Sequence, residues 1–98
     1  MFKELDPLLH SQLRLSIMSL LISVKSATFN FLLEKTGATR GNISVQLKKL
    51  EEAGYLEIDK SFQDNYPLTT CRITPLGIEA FKKYVDALRD YLGGVERA

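Results

Sequence analysis

The spacing of apolar residues divides this 98-residue chain into segments of two kinds. Where apolar residues recur at three and four positions an amphipathic helix is expected, and where they alternate with polar ones a half-buried strand. The clearest helical stripe is Ile43, Leu47 and Leu50, inside the stretch TGATRGNISVQLKKLEEAG from Thr36 to Gly54. Thr39 is placed to cap the helix start by accepting backbone N–H groups, and Gly54 to close its end at positive φ. A helix over about 40–53 follows. Upstream, Asp6-Pro7 is a helix-opening pair, a capping side chain and then a residue pre-set at helical φ, and it predicts a first helix over about 7–22. That helix is apolar on two arcs, Leu9, Leu13, Ile17, Leu20 and Leu21 on one and Leu8, Leu15, Met18 and Ile22 on the other, so it needs two neighbours. After a link containing Ser and Lys, Phe29, Leu32 and Leu33 define a short second helix over about 28–36, ended by Thr36-Gly37.

Beyond Gly54 the period drops to two. Leu56 and Ile58 alternate with Glu57 and Asp59, which predicts a strand over about 55–60, and the pattern returns over about 69–73. The intervening SFQDNYPL is rich in turn formers, so the strands are expected to form a hairpin with Gln63, Asp64 and Asn65 at its tip. Thr74-Pro75 then opens a last helix over about 75–92. Its Leu76, Ala80, Phe81, Tyr84, Val85, Leu88, Tyr91 and Leu92 cover nearly half the circumference, more than a small domain needs for its own core, and the excess implies an interface. The closing GGVERA, residues 93–98, is expected to fray. One domain, mainly α with a β-hairpin, accounts for the whole length.

The polar face of the third helix carries the chemistry. With Ile43, Leu47 and Leu50 turned inward, Asn42, Ser44, Val45, Lys48 and Lys49 are left outside, with Gln46 at the edge of the stripe and Arg40 in the first turn. They mix donors suited to phosphate with groups that hydrogen-bond base edges. Total charge changes this picture little, since 13 Lys plus Arg face 12 Asp plus Glu, so attraction for an anion must be local. From Arg40 to Leu50 there are three basic residues and no acidic ones; Glu51 and Glu52 follow at the far end.

Helix, short helix, polar-faced helix, hairpin and closing helix, in that order, resemble the winged-helix class of helix-turn-helix proteins, over about residues 5–92. ISVQLKKLEEAGYLEIDK resembles the recognition helix and first wing strand of MarR- and ArsR-type transcriptional regulators, and TTCRITPLGIEAF their second wing strand entering the last helix. DPLLHSQLRLSIMSLL resembles the opening of a small subgroup consisting of little beyond this module. The resemblance implies a cytoplasmic homodimer on double-stranded DNA, with the third helix of each protomer in the major groove and the hairpin wing against flanking backbone or minor groove. Carried over by position, Asn42, Ser44, Val45, Gln46 and Lys48 face the groove, and Arg40, Lys49, Lys60 and Arg72 face phosphates. Relatives of this kind commonly carry Arg or Lys at the wing tip; here the tip is Gln-Asp-Asn, with Asp64 unfavourable towards phosphate, which leaves backbone amides, Asn65 and Tyr66 as its contacts. Leu8, Leu15 and Met18 of the first helix and Tyr84, Leu88, Tyr91 and Leu92 of the last are the expected dimer contacts. A small-molecule effector, if one binds, belongs in the crevice between the dimer helices and the DNA-binding part, and no residue specifies it.

Other classes find little foothold. A single cysteine, Cys71, rules out an internal disulfide and argues strongly against a cysteine-based zinc site, and a reducing cytoplasm fits. Cys71 shares strand parity with Ile73, which makes it core packing ahead of a redox sensor; the lone His10 is a surface or interface residue ahead of a metal ligand. Tyr84 and Tyr91 read as core or dimer aromatics ahead of a ligand box. No cofactor is called for, no enzyme constellation is present, and the N-terminal stretch has neither a cleavable signal nor a membrane span. The competing reading is a winged-helix module that docks onto another protein, but such a face should expose large apolar residues, and here Val45 alone is apolar.

Overall fold

The computed structural model describes residues 2–97, with side chains through residue 93. Its elements are α1 (Gln12–Val24), β1 (Ser26–Thr28), α2 (Phe29–Thr36), α3 (Arg40–Glu52), β2 (Leu56–Gln63), β3 (Tyr66–Ile73) and α4 (Pro75–Arg97). α1 lies at the centre, packed against α2, α3, α4 and the sheet. Leu9, Ile17, Met18, Leu21, Leu32, Ile43, Leu50, Leu56 and Cys71 are fully buried and make one core. Each such aliphatic side chain contributes about 1.5–3 kcal/mol on leaving water.

Four departures from the sequence reading have identifiable causes. The first helix begins at Gln12, not near residue 7. Asp6 caps as expected, its Oδ1 accepting from Leu8 N at 2.9 Å, but the result is a single turn, and Ser11 at φ −152°, ψ 128° interrupts it before α1 starts. The other Asp6 oxygen accepts from the Tyr55 hydroxyl at 2.6 Å, which ties that turn to the start of β2. Second, the link after α1 contains a strand. Lys25 turns the chain at φ 70°, and Ser26, Ala27 and Thr28 pair with Arg72, Cys71 and Thr70, giving an antiparallel sheet in the order β1-β3-β2. Third, the hairpin strands run to Gln63 and from Tyr66, so Ser61, Phe62, Pro67 and Leu68 are strand, not loop. Asp64 and Asn65 both adopt left-handed conformations, φ 52° and 68°, which makes a two-residue turn whose twist matches that of the strands. Pro67 is tolerated because β1 does not reach that far along β3. Fourth, the α4 backbone continues past residue 92 to Arg97; from residue 94 on, the tail expected to fray lies outside the residues whose side chains are described.

Strand pairing sorts the sheet into two faces. Leu56, Ile58, Lys60 and Phe62 share one face with Ile73, Cys71, Thr69 and Pro67; Glu57, Asp59, Ser61 and Gln63 share the other with Arg72, Thr70, Leu68 and Tyr66. Cys71 is therefore inside, opposite Ile58 and beside Ala27, and burial with the nearby Glu51 charge pushes its thiol pKa up to about 11. A Cys71→Ser protein should unfold with about 1–3 kcal/mol less stability, because it buries a hydroxyl without an assured partner, and Cys71→Ala should lose less. Urea unfolding of the two side by side checks the order.

The radius of gyration is 15.0 Å and the longest extent 57 Å. A compact domain of this length would have a radius near 13 Å. The 23-residue α4 and the two-stranded wing account for the excess by projecting from the core.

Candidate nucleic-acid interface

α2, the Gly37-Ala38-Thr39 connection and α3 form a helix-turn-helix. Gly37 closes α2 at φ 70°, its N–H reaching Leu33 O, and Thr39 opens α3 by accepting from Asn42 N at 3.2 Å. At the other end Tyr55 N donates to Leu50 O and Gly54 sits at φ 81°, as a helix-closing glycine should. Both ends of α3 are thus fixed by short-range hydrogen bonds. Its burial is fixed by Ile43, Leu47 and Leu50.

At 100° per residue the remaining side chains fall into three strips. Gly41, Val45 and Lys49 point away from the core, and Val45 is 52 % exposed. Asn42 and Gln46 lie on the flank towards α1, where Gln46 Nε2 donates to Asn42 Oδ1 at 3.1 Å and Gln46 Oε1 accepts from Arg14 of α1. Arg40, Ser44 and Lys48 lie on the flank towards the sheet. There they join Lys60 along an open groove of about 610 Å³ floored by Phe29 and Ile58, with Glu51 as the acid among its lining residues. Arg40 sits 5.6 Å over the Phe29 ring and reaches Asn30 Oδ1 at 3.4 Å. Lys48 meets Glu51 at 3.4 Å, an exposed pair of little energetic weight that a phosphate could displace.

Of the sequence-derived contacts, Arg40, Asn42, Ser44, Val45, Gln46, Lys48, Lys49 and Lys60 therefore lie on α3 or face the groove beside it. Arg72 does not join them. It points to the outer face of the sheet, paired with Glu57 and Ser26. Asn65 stands at the wing tip beside Asp64. One exposed aromatic of the wing was missed, Phe62, 76 % exposed on the α3 side; Tyr66, expected as a wing contact, is 75 % exposed on the outer side. Arg14 was missed as well, since its partner is 32 positions away.

The expected dimer surface needs one correction. Met18 and Tyr84 are buried inside the protomer, at 0 % and 4 % exposure, because α4 covers the second arc of α1. Tyr84 also bonds His10 Nδ1 through its hydroxyl at 2.9 Å. Leu8, Leu15 and Leu88 are half-buried, and Leu92 is exposed. Tyr91 is partly occupied within the chain, stacked on Phe2 at 4.6 Å with its hydroxyl donating to Lys3 O.

Among the described residues, no group of three or more His, Cys, Asp or Glu side chains is placed to hold a metal ion, and no helix is long and apolar enough to cross a membrane.

The sequence profile described as winged helix DNA-binding domain matches residues 13–92. The chain belongs to that family. An uncharacterized protein of Methanocaldococcus jannaschii is 41 % identical over 76 residues, 78 % of this chain and 83 % of its own length. Among solved structures, a transcriptional regulator homologue from Pyrococcus horikoshii superposes with a TM-score of 0.84 at 28 % identity, covering 90 % of this chain and 87 % of that one. NadR, solved in complex with 4-hydroxyphenylacetate, shares the fold with a TM-score of 0.70 at 19 % identity over 93 % of this chain and 67 % of its own.

Proposed function

We propose that this winged-helix chain is a sequence-specific DNA-binding transcriptional regulator, working in the cytoplasm as a homodimer with α3 in the major groove and the wing on flanking backbone. The observation that carries this reading is the composition of α3's outer strips. From Arg40 through Lys49 they hold amides, a hydroxyl and three cations around a single exposed apolar side chain, Val45, and no acid. Amides and hydroxyls suit base edges, Val45 suits a thymine methyl, and Arg40, Lys48, Lys49 and Lys60 suit phosphate. The wing contributes less charge than its position allows, since Asp64 occupies the tip.

Phe62 and Tyr66 give the docking alternative a foothold, because exposed aromatics anchor protein interfaces. Fluorescence anisotropy on a promoter-derived duplex and a scrambled one, at several salt concentrations, separates the two. For DNA binding, Lys48→Ala or Lys49→Ala should weaken both duplexes and flatten the salt dependence, each dimer losing two phosphate contacts. Asp64→Lys should strengthen both. A protein that binds neither duplex more tightly than about 10⁻⁴ M at low salt is a docking module instead.

Dimerisation rests on apolar surface that the protomer leaves uncovered. Leu92 is 53 % and Tyr91 38 % exposed on α4, and Leu88, Leu8 and Leu15 are half-buried. A Leu88→Glu, Leu92→Glu protein should sediment as a folded monomer where the parent is a dimer at about 100 μM; a parent that is itself monomeric at that concentration defeats the proposal. A crevice of about 320 Å³ between the N-terminal segment and α4, lined by Asp6, Tyr55, Lys83 and Tyr84, lies where an effector would couple this surface to the fold of the DNA-binding part.

A further inference from the structure

The α1-side flank of α3 ends in a hydrogen-bond chain whose direction is set by its inner member. Arg14 projects from α1 and is anchored by its Nε, which donates to Leu8 O at 2.6 Å; a terminal N–H of the same guanidinium donates to the Gln46 side chain. A guanidinium has five N–H donors and no acceptor, so it can meet only the oxygen of the Gln46 amide. The Gln46 nitrogen is then turned to Asn42, where it can meet only the Asn42 oxygen, at 3.1 Å. Each link forces the next. What remains at the exposed end is the NH₂ edge of Asn42, two donors, with the second N–H of Gln46 beside it.

An asparagine amide free to rotate pairs with adenine, its oxygen taking the N6 hydrogens while its nitrogen donates to N7. Here the oxygen is turned inward to Gln46. A donor-only edge fits guanine, whose major-groove side offers N7 and O6 as two acceptors, and it sets N–H against N–H at adenine N6. We infer that Arg14, through Gln46, fixes the Asn42 amide as a donor-only group and so makes the protein select guanine over adenine at the base pair facing Asn42 in each half-site. The inference rests on the DNA-binding reading and adds a base preference and a residue that sets it. Arg14 is a positioning residue; it touches no base.

The test begins by selecting bound sequences from a randomised duplex pool with the wild-type protein, then measuring affinities for duplexes altered at the one position per half-site that responds to Asn42→Ala. Replacing that guanine by adenine, or by 7-deazaguanine to delete N7, should each weaken wild-type binding roughly tenfold or more. Arg14→Met removes the donor at the start of the chain, so both amides can turn over. The guanine-to-adenine ratio should then fall to within roughly threefold, with the salt dependence unchanged. Gln46→Glu accepts from Arg14 but cannot donate to Asn42, and should relax the ratio in the same way while leaving the Arg14–Leu8 bond in place. It therefore decides the matter if Arg14→Met does not fold by circular dichroism. Variants that keep the wild-type ratio, a wild type that prefers adenine at the Asn42 position, or an Arg14→Met protein whose salt slope flattens as for a lost phosphate contact would each overturn the inference while leaving DNA binding intact. A wild type that binds no duplex defeats the underlying reading instead.

Discussion

Gly77→Ala should destabilise the protein by about 3–4 kcal/mol, a large share of the 5–15 kcal/mol that holds a domain of this size together. Gly77 lies in the first turn of α4, where its backbone is helical and its smallness alone is at issue. A Cβ there would stand 2.1 Å from Tyr55 O, 2.9 Å from Tyr55 C and 3.1 Å from Ile73 Cγ1. The two closest atoms are backbone, so no rotamer change relieves the clash, and α4 must move away from the start of β2. That junction is closely bonded. Thr74 Oγ1 donates to Gly54 O at 2.6 Å and accepts from Gly77 N at 3.0 Å, and Thr74 N donates to Tyr55 O at 3.1 Å. Shifting α4 strains all three bonds, each worth about 1 kcal/mol net. The thermal midpoint should fall by more than about 12 °C. Gly93→Ala is the control, since a Cβ there meets nothing within 4 Å, and it should leave the midpoint equal or higher. A Gly77→Ala protein with the parent's midpoint would mean that α4 enters the fold at another angle.

The same junction explains what could be read from the residue order and what could not. Thr74-Pro75 announced the start of α4 because the cap and the proline act within one turn. Asp6-Pro7 carries the same local signal and delivers only a turn, since Asp6 is also held by Tyr55, 49 residues on, and Leu9 must reach the core before α1 can begin. β1 was invisible for a related reason. Three residues are too few to alternate, and Ser26–Thr28 is a strand only because β3 lies beside it. In the hairpin the polar run SFQDNYPL masked strand residues, yet just two of them, Asp64 and Asn65, make the turn. Signals that act within a helical turn were legible; those made by pairing across the fold were not.

The candidate interface divides along the same line. The inward stripe of Ile43, Leu47 and Leu50 determines by subtraction which side chains of α3 are outside, and all of them are found there. Alternation on β3 likewise contained the answer for Arg72, since Cys71 and Ile73 face inward and their neighbour must face out, beside Glu57. The link from Arg14 to Gln46 had no such signal, because nothing local brings α1 against that flank of α3.

Gly41→Ala should move stability and DNA affinity in opposite directions. Gly41 is the second residue of α3, on its outermost strip beside Val45, and a Cβ added there meets nothing within 4 Å. The fold itself gives no reason for a glycine at this place, and a glycine in a helix costs roughly 0.5–1 kcal/mol relative to alanine. The substitution should therefore raise the thermal midpoint by about 2–8 °C. Its methyl group would project from the strip that the proposed docking sets deepest in the major groove, where the missing Cβ lets the helix start come within van der Waals distance of the nucleic acid. Holding α3 out by part of an ångström lengthens every hydrogen bond made by Asn42, Ser44 and Gln46, and it does so twice in a dimer. Specific affinity should fall at least tenfold, about 1.4 kcal/mol, while binding to a scrambled duplex, carried by mobile Lys48 and Lys49, should change little. Calorimetry and anisotropy on the same preparation read both effects. Higher stability with unchanged specific affinity would place the helix start clear of the groove, and the docking of α3 would then have to turn on Val45 and Lys49 further along.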